Sequence, residues 1–246
     1  MSTTARPTTT GPAVLLHSRD PEASAAFYTA LLGWRFVRAT EGRPDRFRHG
    51  GRTVATVLRA AGPSAVPAWT PAFACGDLRA ASRRILAAGG RPPAGPFRSA
   101  GTATDPTGAS FTLRPGSPSA DGPGSVYWTE LFSLDPAAAK AFYRTALGWR
   151  SEDIPFEGGR YTVMASAHCG IRQLHPREAA AGTTSHWLPY LAVEDVDRST
   201  DRAGRLGATL LAPVREIPGF GRSARFRDPH GAVFALVSGN AKSPSG

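Results

Sequence analysis

Glu130 and Trp128 are the residues best suited to chemistry in this chain. They stand two apart in V-Y-W-T-E-L-F-S, an apolar run that reads as a strand, so alternation puts both side chains on one face. A carboxylate beside an indole on a partly buried face has two uses. It can anchor a ligand hydroxyl or amine. With its pKa raised by desolvation, it can also move a proton near neutral pH. Phe132 continues that face. Leu188 and Tyr190 in W-L-P-Y-L supply a matching face, as does Ala235 with Val233 and Val237 in A-V-F-A-L-V. Together they make an apolar, aromatic wall with one acid and one phenol, the profile of a small-molecule pocket. Residues 217–222, I-P-G-F-G-R, set Phe220 and Arg222 among glycines and are expected to form a loop that closes over a ligand. Earlier in the chain the same alternation collects a more polar set: His17, Thr70, Thr112 and Arg114, beside Ala13, Leu15, Ala72 and Ser110.

Other catalytic kits are missing from the sequence. It has no G-x-S-x-G, no glycine-rich phosphate loop and no H-E-x-x-H. Cys75 and Cys169 form neither a ligand cluster nor a disulfide framework. His168, His175 and His186 fall near strand ends and connectors, as ordinary loop histidines do.

The chain has 246 residues, enough for two domains with real cores. Its net charge is +10, and 27 of its 29 basic residues are arginine, scattered rather than clustered. The charge is uneven: residues 1–117 hold 15 basic against 6 acidic residues, and residues 118–246 hold 14 against 13. That asymmetry leaves room for an acidic partner of the first half. The scatter, and the lack of any basic recognition helix, argue against nucleic acid. No apolar run is long enough to span a bilayer and no apolar signal segment opens the chain, so the expectation is a cytoplasmic protein with no membrane partner.

The elements that position these residues come from a repeat. Residues 20–35 read D-P-E-A-S-A-A-F-Y-T-A-L-L-G-W-R and residues 135–150 read D-P-A-A-A-K-A-F-Y-R-T-A-L-G-W-R. Asp20 and Asp135 suit the helix N-cap, Pro21 and Pro136 the first helical position, and Gly33 and Gly148 the left-handed stop. Trp34 and Trp149 then open the next strands, the second over 149–151. A second helix follows in each half, capped by Asp77 with Leu78, Ala81, Ile85 and Leu86 as its stripe, and by Asp195 in the repeat. D-P-T-G at 105–108 matches D-P-H-G at 228–231, with Ala-x-Phe-x-Leu following both turns. Each half therefore reads β-α-β-β-β twice. The expected divisions are a disordered 1–11, domains over 12–115 and 125–238, a Pro/Gly/Ser linker at 116–124 and a polar tail at 239–246.

This pattern resembles the vicinal oxygen chelate superfamily of glyoxalases, bleomycin-resistance proteins and extradiol dioxygenases. The resemblance implies an α+β fold of two tandem domains, each a pair of βαβββ modules building a cleft-bearing, curved mixed sheet. It also implies where a catalytic metal would be held. Those positions are Ala13 or Trp128, Thr70 or Leu188, and Thr112 or Ala235, and none is a usual ligand. The expectation is therefore a protein with no metal and no cofactor. It binds a small, aromatic or conjugated molecule in the manner of bleomycin-resistance proteins, through Trp128, Phe132, Leu188, Tyr190, Ala235, Phe220 and Arg222, or through His17, Thr70, Thr112 and Arg114. The alternatives are an isomerase, cyclase or lyase using Glu130 as acid–base group, a metalloenzyme with displaced ligands, or an interaction protein. The expected assembly is a monomer acting as an internal pseudo-dimer, or a homodimer.

Overall fold

The structure, a computed structural model, describes residues 13–41, 44–60, 62, 65–94, 100–115, 126–157, 159–164 and 167–239. The expected disordered arm at 1–11, the linker at 116–124 and the tail beyond Gly239 lie outside them. The first half runs β1 (Ala13–Ser18), α1 (Pro21–Leu32), β2 (Arg35–Val37), β3 (Asp45–His49), β4 (Arg52–Arg59), β5 (Ala68–Cys75), α2 (Leu78–Ala87), β6 (Gly101–Thr104) and β7 (Ser110–Pro115). The second runs β8 (Val126–Ser133), α3 (Pro136–Leu147), β9 (Glu152–Phe156), β10 (Gly159–Met164), β11 (Cys169–Gln173), α4 (Pro176–Ala180), β12 (His186–Ala192), α5 (Val196–Arg205), β13 (Thr209–Ile217), β14 (Gly221–Arg227) and β15 (Val233–Ser238).

The repeated helices form as their punctuation dictates. Asp20 accepts the Glu22 and Ala23 amides, Asp135 accepts that of Ala138, and Gly33 and Gly148 end the helices at φ of 68° and 71°. Each Tyr of the Phe-Tyr pair then meets the Trp beyond its glycine, Tyr28 on Trp34 at 6.2 Å and Tyr143 on Trp149 at 5.0 Å. That stacking removes Trp149 from the strand expected at 149–151, which begins instead at Glu152. Leu86 leaves the stripe of α2 and is exposed, while Leu78, Ala81 and Ile85 are buried.

The strands order as β2-β3-β4-β1-β5-β7-β6 and as β13-β14-β15-β12-β8-β11-β10-β9. In both sheets a parallel pair (β1–β4, β5–β7, β8–β11, β12–β15) closes each module, and antiparallel β1–β5 and β8–β12 join the modules. The second module has three strands among the described residues. Where β13 would have its counterpart, one bridge joins Arg91 to Thr104. Pro92 and Pro93 follow at once, and proline donates nothing to a ladder.

The two halves share their cores. Val14, Phe27, Tyr28 and Trp69 pack with Val196, Phe226 and Phe234. Phe73, Ile85 and Phe111 pack with Phe142, Tyr143 and Trp187. Each Phe-Tyr pair also reaches the D-P-x-G turn of the other half. Tyr28 Oη donates to Asp228 Oδ2 at 2.8 Å and accepts Trp69 Nε1 at 2.9 Å. Tyr143 Oη donates to Asp105 Oδ2 at 3.0 Å and accepts Trp187 Nε1 at 3.2 Å. With their helix-side faces committed to these joint cores, the sheets keep the opposite faces for clefts.

Asp153 on β9 ties that edge hairpin to α3. It takes hydrogen bonds from Lys140 at 2.7 Å, Arg160 at 3.0 Å and Thr162 at 2.7 Å. The Lys140 bond leads in lowering its pKa from 3.8 to about 2. A carboxylate depressed on folding adds stability that is full above its unfolded pKa and is lost as pH falls through the folded one. Asp153→Asn is therefore expected to lower the melting temperature at neutral pH, with the difference from wild type vanishing between about pH 4 and about pH 2. A difference that persists at the acid end would refute this account.

Candidate active or ligand-binding site

The second sheet curls until side chains from its two edges meet. β9 and β13 are its two outermost strands, yet Glu157, in the turn after β9, pairs with Arg215 on β13. Inside that curl lie two adjoining cavities of about 300 and about 390 Å³, separated by the shared residues Glu157, Arg172, Tyr190 and Ile217.

Glu130 stands at the bottom of the smaller cavity, 4% exposed. Tyr190, one strand over on β12, donates its hydroxyl to Glu130 Oε2 at 2.6 Å. Tyr161 on β10 lines the same cavity, and its hydroxyl accepts Trp128 Nε1 at 2.9 Å. The phenol ring of Tyr161 passes over Gly170, where any Cβ would overlap it. Burial pushes the Glu130 carboxyl above the usual carboxylate range, and the charge of Arg172 with the two phenols pulls it only part of the way back. Ile154, Pro155, Phe156, Ile217, Pro218 and Phe220 complete an apolar enclosure. A neutral carboxyl there can donate to a ligand oxygen, and once ionised it can take a proton from an acidic C–H or O–H.

The larger cavity is basic. Arg172 bonds Glu157 at 3.1 Å, Arg215 bonds the same carboxylate, and Arg225 pairs with Glu178 of α4. Phe132 is the centre of this wall. The guanidinium carbons of Arg172 and Arg225 lie 5.2 and 5.3 Å from its ring centroid, and His186 stacks on it at 5.4 Å. Burial lowers the pKa of His186, whose Nδ1 donates to the Thr184 carbonyl at 2.8 Å.

The expected second-half residues fall as follows. Glu130, Phe132, Tyr190, Phe220 and Ala235 line the cavities. Trp128 and Leu188 are buried in the cluster behind them, at 3% and 1% exposure, and are on neither wall. Trp128 therefore acts on the site through Tyr161, and its indole face is not on the cavity surface. Arg222 turns away to pair with Asp197 on α5, and 217–222 is the tight turn joining β13 to β14, with the Phe220 amide donating to the Ile217 carbonyl at 2.9 Å. In the first half His17 Nε2 meets Thr70 Oγ1 at 3.1 Å, and burial lowers the imidazole pKa. Thr112 Oγ1 is buried with no partner, and Arg114 is half-buried on the same strand, β7. Arg172, Arg225, Glu157 and Tyr161 were not anticipated. Alternation on β11 and β14 could have found the two arginines, since Ile171 and Phe226 face the joint cores and their neighbours must face the cleft.

A divalent metal does not fit these residues. Trp128 offers only an N–H donor, Leu188 and Ala235 offer nothing, and Glu130 has one oxygen engaged by the Tyr190 phenol and favours its proton. Among the described residues no three His, Cys, Asp or Glu side chains come together. After incubation with Mn²⁺ or Zn²⁺ and desalting, elemental analysis is expected to find well under one equivalent. Stoichiometric, chelator-removable metal would overturn this assignment.

Comparison with known proteins bears on the family and the fold. The Glyoxalase-like domain family matches residues 13–114, and the Glyoxalase/Bleomycin resistance protein/Dioxygenase superfamily matches residues 125–236. The anthracycline biosynthesis protein DauV of Streptomyces sp. strain C5 is 32% identical, with 90% of each chain covered. CFP32 of Mycobacterium tuberculosis, named provisionally as a glyoxylase, is 29% identical over 90% of this chain and 92% of its own. A crystal structure of catechol 2,3-dioxygenase has the same fold, with a TM-score of 0.64 at 15% identity, over 97% of this chain and 91% of that one.

Proposed function

The chain belongs to the glyoxalase/bleomycin resistance protein/dioxygenase superfamily, and on that premise we propose that its second-half cleft is a metal-independent site for a flat, conjugated small molecule. The carrying observation is the buried Glu130 carboxyl, hydrogen-bonded by Tyr190 beneath an apolar cavity of about 300 Å³. Apolar walls with a few converging polar groups are what a small-molecule pocket requires. Glu130 and the two phenols anchor a hydroxyl or keto oxygen, while Phe156 and Phe220 hold the ring. The names of the Streptomyces relatives concern anthracycline biosynthesis, and an anthracycline is a fused, hydroxylated ring system of this kind.

A second reading uses the same carboxyl as a general acid–base, in an isomerase, cyclase or lyase. The observation favouring it is the raised pKa of Glu130, which places proton exchange nearer neutral pH than an ordinary carboxyl allows. Titration with 1,8-dihydroxyanthraquinone, followed by quenching of protein fluorescence, tests the binding reading. Saturable one-to-one binding that survives EDTA supports it. No saturation, or binding only after metal is added, would sink it.

A further inference from the structure

The larger cavity holds a charge surplus that the function proposed above leaves unused. Its charged walls are three guanidiniums, Arg172, Arg215 and Arg225, against two carboxylates, Glu157 and Glu178, which leaves one positive charge. The resident acids take one terminal nitrogen of each cation, Nη2 of Arg172, Nη1 of Arg215 and Nη2 of Arg225, which leaves the other terminal nitrogen of each to a ligand, while the Nε–H groups of Arg172 and Arg225 are buried without an acceptor and out of a ligand's reach. An unmet buried donor is costly, more so on a charged group. Glu157 must also divide itself between Arg172 and Arg215, and it does so from a left-handed backbone, φ 48°, that non-glycine residues seldom adopt. Two of the three arginines are held in place by the Phe132 ring, so the cationic cluster exists before any ligand arrives. It begins where the aromatic cavity ends, since Arg172, Glu157 and Tyr190 belong to both walls.

We infer that the ligand of this cleft is an aromatic acid, its ring system in the cavity above Glu130 and its carboxylate among Arg172, Arg215 and Arg225 in the adjoining one. The inference rests on the small-molecule reading of the same cleft and specifies its ligand class. Guanidinium pairs well with carboxylate because both are planar and can share two parallel hydrogen bonds. While Glu130 holds its proton, a single added negative charge neutralises the surplus, and the ring and the acid then occupy distinct, adjacent spaces.

The test compares two probes that differ by one carboxylate: 1,8-dihydroxyanthraquinone and 4,5-dihydroxyanthraquinone-2-carboxylic acid. The acid is expected to bind about tenfold or more tightly, with the advantage shrinking as salt is raised. Arg225→Gln and Arg215→Gln should each reduce the acid-to-neutral affinity ratio several-fold, while Arg198→Gln on the exposed side of α5 leaves it alone. Thermal melts confirm that each variant is folded. Should Arg225→Gln not fold, Arg215→Gln carries the test, since Arg215 is half exposed on an edge strand. Equal affinities, or a preference unchanged in the folded arginine variants, would overturn the inference while leaving the small-molecule site standing. If neither probe binds, both fall together.

Discussion

Asp228→Ala should destabilise the protein by about 3–5 kcal/mol, because it strips the acceptor from two buried donors and a half-buried one at once. Asp228 is 3% exposed. Its Oδ1 accepts the His230 and Ala232 amides at 2.8 and 3.0 Å, which shapes the D-P-H-G turn. Its Oδ2 accepts Tyr28 Oη, which carries the bond into the other half. Asp105→Ala should behave alike, since Asp105 holds the Thr107 and Ala109 amides and Tyr143. Tyr28→Phe removes less, about 1–2 kcal/mol, because Asp228 keeps its two amides. The halves share both joint cores, so urea denaturation should show one transition, displaced as a whole in each variant. At this chain length the aspartate changes correspond to a melting temperature lower by roughly 10 °C. A loss below about 1 kcal/mol for both aspartates would mean that the cross-half bonds carry no weight.

The latch shows what a sequence conceals. D-P-x-G is legible as turn chemistry because Asp, Pro and Gly act on their immediate neighbours. The second oxygen of each Asp answers to a tyrosine 200 residues away for Asp228, or 38 for Asp105, and no local periodicity encodes that. The repeat, the helix caps and the inward faces of β8, β12 and β15 were legible, since they follow from spacing, capping and alternation. Trp149 was misplaced because strand propensity lost to stacking on Tyr143, a contact that exists only after the helix has ended at Gly148.

The site was legible in its centre and hidden in its rim. Glu130 and Tyr190 meet diagonally, because strand alternation puts both on the cleft face and the antiparallel register sets Tyr190 opposite Trp128, two residues from Glu130. Charged residues such as Arg172, Arg215 and Glu157 read as solvent-facing in isolation. They become inward only when the curl of the sheet brings β13 to the turn after β9, a property of eight strands together. Trp128 was placed on the right face but one layer too shallow. Tyr161, with no Cβ at Gly170 to stop it, lies between the indole and the cavity.

Glu130→Gln separates the two functional readings and should give the largest effect on the site. If the cleft only binds, the variant keeps the shape and one acceptor oxygen for Tyr190, so affinity for a hydroxyanthraquinone should fall modestly. Glu130→Ala should cost about 2–3 kcal/mol of binding, roughly 30- to 150-fold, by removing the anchor and stranding the Tyr190 phenol. Trp128→Ala should cost about 1–3 kcal/mol through the loss of its bond to Tyr161 and of packing behind the wall. If the cleft catalyses, Glu130→Gln should leave binding nearly intact and reduce turnover about 100-fold or more. Stability against pH supplies a check that needs no ligand. A carboxyl whose folded pKa lies above its unfolded value holds its proton more tightly when folded, so wild type loses stability as pH rises from 4.5 through the raised value. The glutamine variant has nothing to ionise and should lack that loss, gaining on wild type over the same interval and holding its advantage above it. Parallel profiles would show an ordinary carboxyl at Glu130. The acid–base reading would then fail, and Glu130 would remain only a hydrogen-bonding anchor.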